Sequence, residues 1–349
     1  MAGTDTAVVR LSDLRDGSEG VCFAALVKKD RGMTKKNEPF FKCYFRDKRA
    51  TLEAPIWANN RFLNQAAQWP VGIAYRLHVR TKDSGRYGLQ IDEIIEIRAA
   101  TAADEADGYD FQDLVESSRY SAAVLRERLD QLVDKYIRAP HVKRLVRDIL
   151  AEHDELFRKM PAAQNFHHSY SVGLLEHVWS MTRIAGFVAE HYERYYDQLN
   201  PPLDKDVVVA ATILHDIGKL RELEYHPVEA KYTKEGSLIG HVLMGRDLVR
   251  EAAGRIEGFP EETLLLLEHA ILAHHGKREF GAPVVPQTLE ALILSFIDDL
   301  DAKINVLATE RLRSTTEDAF TDRVYALDNR RIYKGIPVEL PGAEDDGLA

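Results

Sequence analysis

The chain has 349 residues, of which 45% are hydrophobic, and a formal net charge of −10. This length exceeds the usual size of one domain, so we expect two. The sequence contains no apolar run of the roughly 20 residues that a membrane helix needs, and its N-terminal segment lacks the hydrophobic stretch of a signal peptide. We therefore expect a soluble, cytoplasmic protein with no membrane partner, in which Cys22 and Cys43 are reduced.

The charge is unevenly distributed along the chain. Residues 1–100 carry 17 Lys and Arg against 12 Asp and Glu, a net charge of +5. The remaining residues carry 29 against 44, a net charge of −15. A basic front on an acidic chain favours a polyanionic partner for the N-terminal part.

Residues 19–98 alternate short β-like runs with turn signals, a pattern that predicts a small five-stranded β-barrel. In the second run, period-two alternation sends Phe41, Cys43 and Phe45 to one face. The opposite face carries Phe40, Lys42, Tyr44 and Arg46. Rings that stack on bases and cations that follow phosphates are typical of single-stranded nucleic-acid binding, but an ordinary half-exposed strand would show the same pattern.

The domain boundaries follow from composition and periodicity. Residues 101–118 are acidic and have the composition of a linker. Residues 119–336 show helical periodicity and predict an all-α domain, and residues 337–349 predict a flexible tail because they are rich in Pro, Gly and acidic residues.

Most of the thirteen histidines lie in the helical part. His177 falls on an apolar helical stripe, and His274, which is followed by His275, continues the stripe of Leu267 and Ile271. The pair His215-Asp216 lies at the end of a predicted helix that Gly218 terminates. Asp298 lies on an inward stripe, whereas Asp299 points about 100° away. A lone inward histidine is usually a core residue. Several of them with carboxylates, buried without partners, would cost several kcal/mol each, so we infer a metal site.

The order His177, His215-Asp216, Asp298 resembles the HD phosphohydrolase superfamily, in which HDIGK is a common local form. The stretches NFHHSYSVGLLEHV, GSLIGHVLMG and AHHGKREFGAPVVPQTLEALILSFIDDLDAK are similar to the YhaM group of bacterial 3′→5′ exoribonucleases. In that group an OB-fold nucleic-acid-binding domain precedes the HD domain. The resemblance covers about residues 15–336 and implies an OB-fold in residues 1–100 and an HD domain in residues 119–336.

The resemblance also implies two metal-binding sets that share Asp216 as a bridge. The first set would be His177, His215, Asp216 and Asp298, and the second would be His241, His274 and His275. Imidazole and carboxylate ligands suit manganese, our first choice, or iron, cobalt, nickel or zinc. Lys219 would stabilise the scissile phosphate, and His168 would protonate the leaving oxygen. Two alternatives remain. Lys219 could be an ordinary solvated lysine at a helix end, and His167 and His168 could be capping groups or could support the metal ligands.

We therefore hypothesise a metal-dependent 3′→5′ exonuclease that acts on single-stranded RNA or DNA. Cyclic-dinucleotide phosphodiesterases of the HD-GYP type are disfavoured, because Gly276 and Lys277 follow the His274-His275 pair and no Gly-Tyr-Pro lies beyond. A phosphohydrolase of small or cyclic nucleotides is one alternative. An adaptor with an inactive HD site is another. The sequence leaves open the choice between RNA and DNA, and whether the protein is a homo-oligomer.

Overall fold

The computed structural model describes residues 8–85, 88–162, 170–225, 230–314, 316 and 318–336. Within them a five-stranded antiparallel sheet precedes a helical domain, which confirms the predicted order of a β domain and an α domain. The elements of the first domain are β1 Glu19–Met33, β2 Pro39–Arg46, β3 Thr51–Ile56, α1 Leu63–Ala66, β4 Ala74–Asp83 and β5 Leu89–Ala99.

The sheet has the strand order β3-β2-β1-β4-β5. The long central strand β1 pairs with both β2 and β4, and a register shift between Leu26 and Lys28 bends it where it passes from one partner to the other. The edge strands β3 and β5 approach each other, but no backbone ladder joins them among the described residues. The sheet is therefore OB-like and curved, and the predicted barrel is not closed.

The alternation predicted for β2 is confirmed. Phe41, Cys43 and Phe45 are buried in the interior of the curved sheet, while the intervening side chains are half-buried on the other face. Cys22 on β1 lies in the same interior, and burial raises the pKa of both thiols to about 12. Both cysteines are free thiols, as expected, and at neutral pH both are protonated and unreactive.

Residues 102–115, whose composition is that of a linker, pack against the sheet. Two 3-10 turns, Ala102–Asp107 and Phe111–Asp113, place Leu114 and Val115 on the outer face of β1, where they bury Phe23. The composition suggested a linker because these residues are acidic, and most of the acidic side chains are exposed to solvent. The low mean hydropathy of the segment therefore gave no sign of its apolar contact with the sheet.

The helical domain contains two short β-ribbons that helical periodicity did not predict. Its helices are α2 Ala122–Tyr136, α3 Pro140–Glu152, α4 Asp154–Phe157, α5 Gly173–Tyr195, α6 Lys205–Leu214, α7 Lys219–Glu222, α8 Lys234–Ile239, α9 His241–Gly254, α10 Glu261–Ala273 and α11 Leu289–Arg313. The ribbons pair β6 Leu223–Glu224 with β7 Lys231–Tyr232, and β8 Phe320–Val324 with β9 Arg330–Tyr333. None of the described helices combines the length and the apolar character needed to cross a membrane. The predicted tail, residues 337–349, lies outside the described residues.

Helix α6 forms the centre of the helical domain. Nine of its ten residues are buried, all but Asp206, and α2, α3, α5, α10 and α11 pack around it. A helix that is apolar on every side belongs in the interior of a domain. Because α6 ends at Leu214, the next two residues, His215 and Asp216, emerge inside the domain rather than at its surface.

Candidate metal centre

The residues predicted as the first metal-binding set lie together at the end of α6. The Nε2 atom of His215 is 3.3 Å from Asp216 Oδ2, and the Nε2 atom of His177, on α5, is 3.9 Å from the same oxygen. Asp298 Oδ1, on α11, is 3.3 Å from His177 Nε2 and 3.9 Å from His215 Nε2. Asp299, the rejected neighbour, faces solvent and pairs with Lys303 at 2.7 Å. Three elements thus converge on one buried position.

The residues predicted as the second set face the other oxygen of the same carboxylate. His241 Nε2 lies 3.5 Å from Asp216 Oδ1, and His274 Nε2 lies 3.8 Å from it. Ligand atoms of His241, His274 and His275 all lie within 4.8 Å of one another. The geometry therefore allows Asp216 to bridge two cations, one on each side of its carboxylate.

The donor atoms of this cluster fit a metal ion. The Nε2 atoms of His215, His241 and His274 and the Oδ1 atom of Asp216 are buried and lack a hydrogen-bond partner among the described residues. Each such atom costs about 1–3 kcal/mol unless something satisfies it. Divalent cations bound by nitrogen and carboxylate oxygen would satisfy all of them.

The protonation states of three groups in the cluster suit metal binding. Burial, reinforced by neighbouring histidines, lowers the pKa of His274 and His275, so both imidazoles are neutral at pH 7. Burial alone would raise the pKa of Asp216. The positive charge of Lys219 and the contact with His215 outweigh burial and hold that pKa well below its usual range. A neutral imidazole and an ionised carboxylate are the forms that bind a cation.

Four histidines of the cluster are oriented by an oxygen behind the ring. The Nδ1 atom of His215 donates to the Thr212 carbonyl at 2.8 Å, and that of His274 donates to the Ile271 carbonyl at 2.6 Å. His177 and His241 instead donate to carboxylates, as described next. Metal-bound histidines almost always make such a bond, which fixes the tautomer and directs the Nε2 lone pair at the metal.

The two orienting carboxylates were not predicted as site residues. Asp301 accepts a hydrogen bond from His177 Nδ1 at 2.8 Å and another from Ser180 Oγ at 2.6 Å. Glu222 accepts from His241 Nδ1 at 3.0 Å and from its backbone N–H at 2.9 Å. Asp301 lies three residues after Asp298 on the same helical stripe, a signal that could have found it. Glu222 gives no comparable signal in the sequence.

Lys219 is held inside the site. Its side chain is buried, and its Nζ atom donates to Asp216 Oδ2 at 2.6 Å. This excludes the alternative of a solvated helix-end lysine. Its predicted contact with a phosphate stays a prediction. His167 and His168 lie outside the described residues, so the predicted role of His168 also stays a prediction.

The sequence predicted that Gly218 ends the helix before it, but α6 already ends at Leu214 and Gly218 directly precedes α7. Its φ of −63° is ordinary for a helix. A Cβ atom at this position would lie 2.0 Å from the His241 carbonyl oxygen and 2.6 Å from the Gly245 nitrogen. Glycine is thus needed so that the first turn of α9 can press against the segment after Asp216. This close approach brings His241 to Asp216.

The substitution Gly218→Ala should displace α9 and remove the second metal, because the added methyl group meets backbone atoms that cannot move independently. We expect the metal content measured by inductively coupled plasma mass spectrometry to fall from two ions per chain to about one. Gly254→Ala is the matched control, because Gly254 lies on α9, the helix that should be displaced, and its Cβ would meet nothing within 4 Å. Full metal content in the Gly218→Ala protein would contradict the role assigned to this contact.

The substitution Asp301→Asn should weaken metal binding about 10- to 100-fold, because the amide no longer fixes the tautomer of His177 as the carboxylate does. The affinity can be measured by competition with a chelating dye. Asp299→Asn, two residues away and exposed, should leave the affinity unchanged. Equal affinities for the two variants would show that Asp301 does not position His177.

Comparison with known proteins supports the assignment of the helical domain. A family model described as "HD domain" matches residues 174–303, a range that contains all seven predicted metal ligands. A second model, described as "Putative helicase", matches residues 116–220 and overlaps the first over α5 and α6.

The N-terminal sheet is similar to solved domains of replication protein A from Methanococcus maripaludis. A crystal structure of one domain is 17% identical, and a solution structure of the second OB-fold domain is 18% identical. Each match covers 26% of this chain and 93% of that chain, with a TM-score of 0.21. The OB-like assignment rests on the strand order and partly open barrel of the sheet itself.

An HD domain indicates a metal-dependent phosphohydrolase, and the buried histidine and aspartate cluster of this chain has the donors that such an enzyme needs. The HD domain family model thus matches the part of the chain that holds this cluster, and in this chain that part follows an OB-like domain.

Proposed function

We propose that this protein is a divalent-metal-dependent 3′→5′ exonuclease that hydrolyses single-stranded RNA. The observation that carries the proposal is the arrangement of two ligand sets on the two oxygens of Asp216. Two-metal sites of this kind serve phosphodiester hydrolysis, because divalent ions supply water activation and stabilise the charge of an in-line displacement. DNA is the second substrate that the same site would accept.

The exposure of the ligands indicates how a substrate would approach. His177, His215, Asp216 and His274 are buried, whereas His241 and His275 are partly exposed. A phosphodiester would therefore approach from the side of the second set. Lys219 is held on the other oxygen of Asp216 and adds a positive charge to the centre.

The outer face of the OB-like sheet supports a single-stranded substrate. The ring of Phe40 lies 5.1 Å from the ring of Trp57, and Lys28 Nζ lies 5.3 Å from the centre of the Tyr44 ring. Lys42 pairs with Glu53 at 3.1 Å, so its charge is partly compensated. OB-folds bind oligonucleotides on strands 2 and 3 and the adjoining loops, which is where these rings lie. Arg46 remains a predicted member of this face.

The direction of degradation and the release of nucleoside monophosphates rest on the resemblance to the YhaM group. The charge distribution is consistent with one domain that binds the strand and another that cleaves it. The basic N-terminal part would hold the strand, and the acidic helical part would carry the metal site.

The purified protein with Mn²⁺ should shorten a 5′-labelled single-stranded RNA 20-mer to a ladder and release labelled mononucleotide at once from a 3′-labelled one. His215→Ala should reduce both signals to background, because it removes a ligand of the first set. His191→Ala, an exposed histidine on α5, is the control. If the protein hydrolysed free or cyclic nucleotides but left RNA undegraded, a small-nucleotide phosphohydrolase would be favoured. If it bound RNA and hydrolysed neither substrate, an adaptor would be favoured.

Replacing both Phe40 and Tyr44 by Ala should weaken RNA binding. Stacking on one aromatic ring contributes about 1–3 kcal/mol per base, so the loss of each ring should raise Kd roughly 5- to 150-fold. Fluorescence anisotropy with the inactive His215→Ala protein measures Kd without degradation. Tyr325→Ala, a strongly exposed tyrosine in the helical domain, should have no effect. An unchanged Kd after the double substitution would remove the sheet face from the proposal.

A further inference from the structure

A large apolar surface lies between the C-terminal half of α5 and the N-terminal half of α11. We define the α5–α11 face by five side chains, which are Tyr192, Tyr196, Leu292, Phe296 and Leu300. Phe296 and Leu300 each lie two residues from Asp298, or about 200° around the helix. The metal ligand and the apolar stripe therefore occupy opposite sides of α11.

The α5–α11 face is too large to be incidental. Phe296 is 68% exposed, and the five side chains are about half exposed on average. With about 200 Å² for each fully exposed large side chain, they present roughly 500 Å² to solvent. Phe187, Tyr195, Leu289 and Ile304 at its borders raise this area to roughly 900 Å², above the roughly 300–600 Å² of the largest patch on a typical monomer.

The α5–α11 face contains a groove into which a protruding side chain can fit. A groove of about 470 Å³ runs between the two helices, with Ile184, Val188 and Ile293 among the residues that line it. Phe296 stands at the edge of this groove. The surface thus carries both a knob and a hole, as a self-complementary interface requires.

Three occupants can be compared on charge and area. A lipid surface is disfavoured, because anionic headgroups attract basic surfaces and residues 101–349 carry a net charge of −15. The C-terminal segment 337–349 contains only Val338, Leu340 and Leu348 as large aliphatic residues, too few to cover the face. A second copy of the chain supplies an equal area, and roughly 900 Å² matches the about 800 Å² per partner of a stable interface.

We propose that the α5–α11 face is a homodimer interface in which two copies pack around a twofold axis. Phe296 of each copy enters the groove of the other. The interface would hold α11 from outside while Asp298 and Asp301 act on its inner side, so dimerisation supports the helix that carries two site residues. The proposed dimer does not depend on which substrate the protein hydrolyses. If the dimer were disproved, the proposed nuclease activity would be unaffected.

Sedimentation equilibrium of the full chain tests the proposal. We expect the wild-type protein to be a dimer at micromolar concentration and Phe296→Asp to raise the dimer Kd at least about 30-fold, the effect of losing a hot-spot side chain. Leu312→Asp is the matched control on the same helix, since Leu312 is 88% exposed but lies outside the face. A monomeric wild-type protein, or a dimer that Phe296→Asp leaves intact, would overturn the proposal.

A second variant keeps the test decisive if Phe296→Asp fails to fold. Cys22 and Cys43 are buried, so a single new cysteine in Leu300→Cys would be the reactive thiol available to a bifunctional maleimide that spans the interface. The reagent should give a covalent dimer, whereas Leu312→Cys should give none. Absence of a covalent dimer from the first variant, or a dimer that forms only after residues 337–349 are removed, would show that two copies do not meet at this face in the intact chain.

Discussion

One buried carboxylate organises the helical domain. Each oxygen of Asp216 faces a separate group of imidazoles, and these imidazoles come from α5, α9, α10 and the end of α6. Their Nδ1 atoms are already bonded to oxygens behind them, and most of the remaining ring nitrogens have no hydrogen-bond partner among the described residues. Helix packing brings these donors together at a cost that bound cations would remove.

Periodicity predicted the positions of the proposed ligands within helices better than the positions of those at helix ends. His177 and Asp298 share stripes with apolar residues, so the argument that places those residues in the core also places the ligands, and the choice of Asp298 over Asp299 follows from register. His241 is the first residue of α9, and its position depends on the contact with Gly218. A contact between distant segments leaves no periodic signal, so only the family resemblance indicated this residue.

In the N-terminal domain, too, the sequence predicted patterns within one strand but not contacts between distant segments. The two faces of β2 follow from an alternation within one strand, and the sequence was sufficient to predict them. The partner of Phe40 is Trp57, which lies just beyond β3, and the register between two strands is set by the whole sheet. The packing of Leu114 and Val115 was likewise hidden, because the acidic residues around them dominate the composition.

The contact between Gly218 and the first turn of α9 has a consequence for translocation. Backbone packs on backbone there, without flexible side chains between, so the two ligand sets have no hinge at which to separate. Opening and closing of the site, which limits the rate of many enzymes, would have to break this packing. For the exonuclease activity proposed above, the strand itself would then have to advance by one nucleotide after each cleavage, past a centre that does not open at this contact.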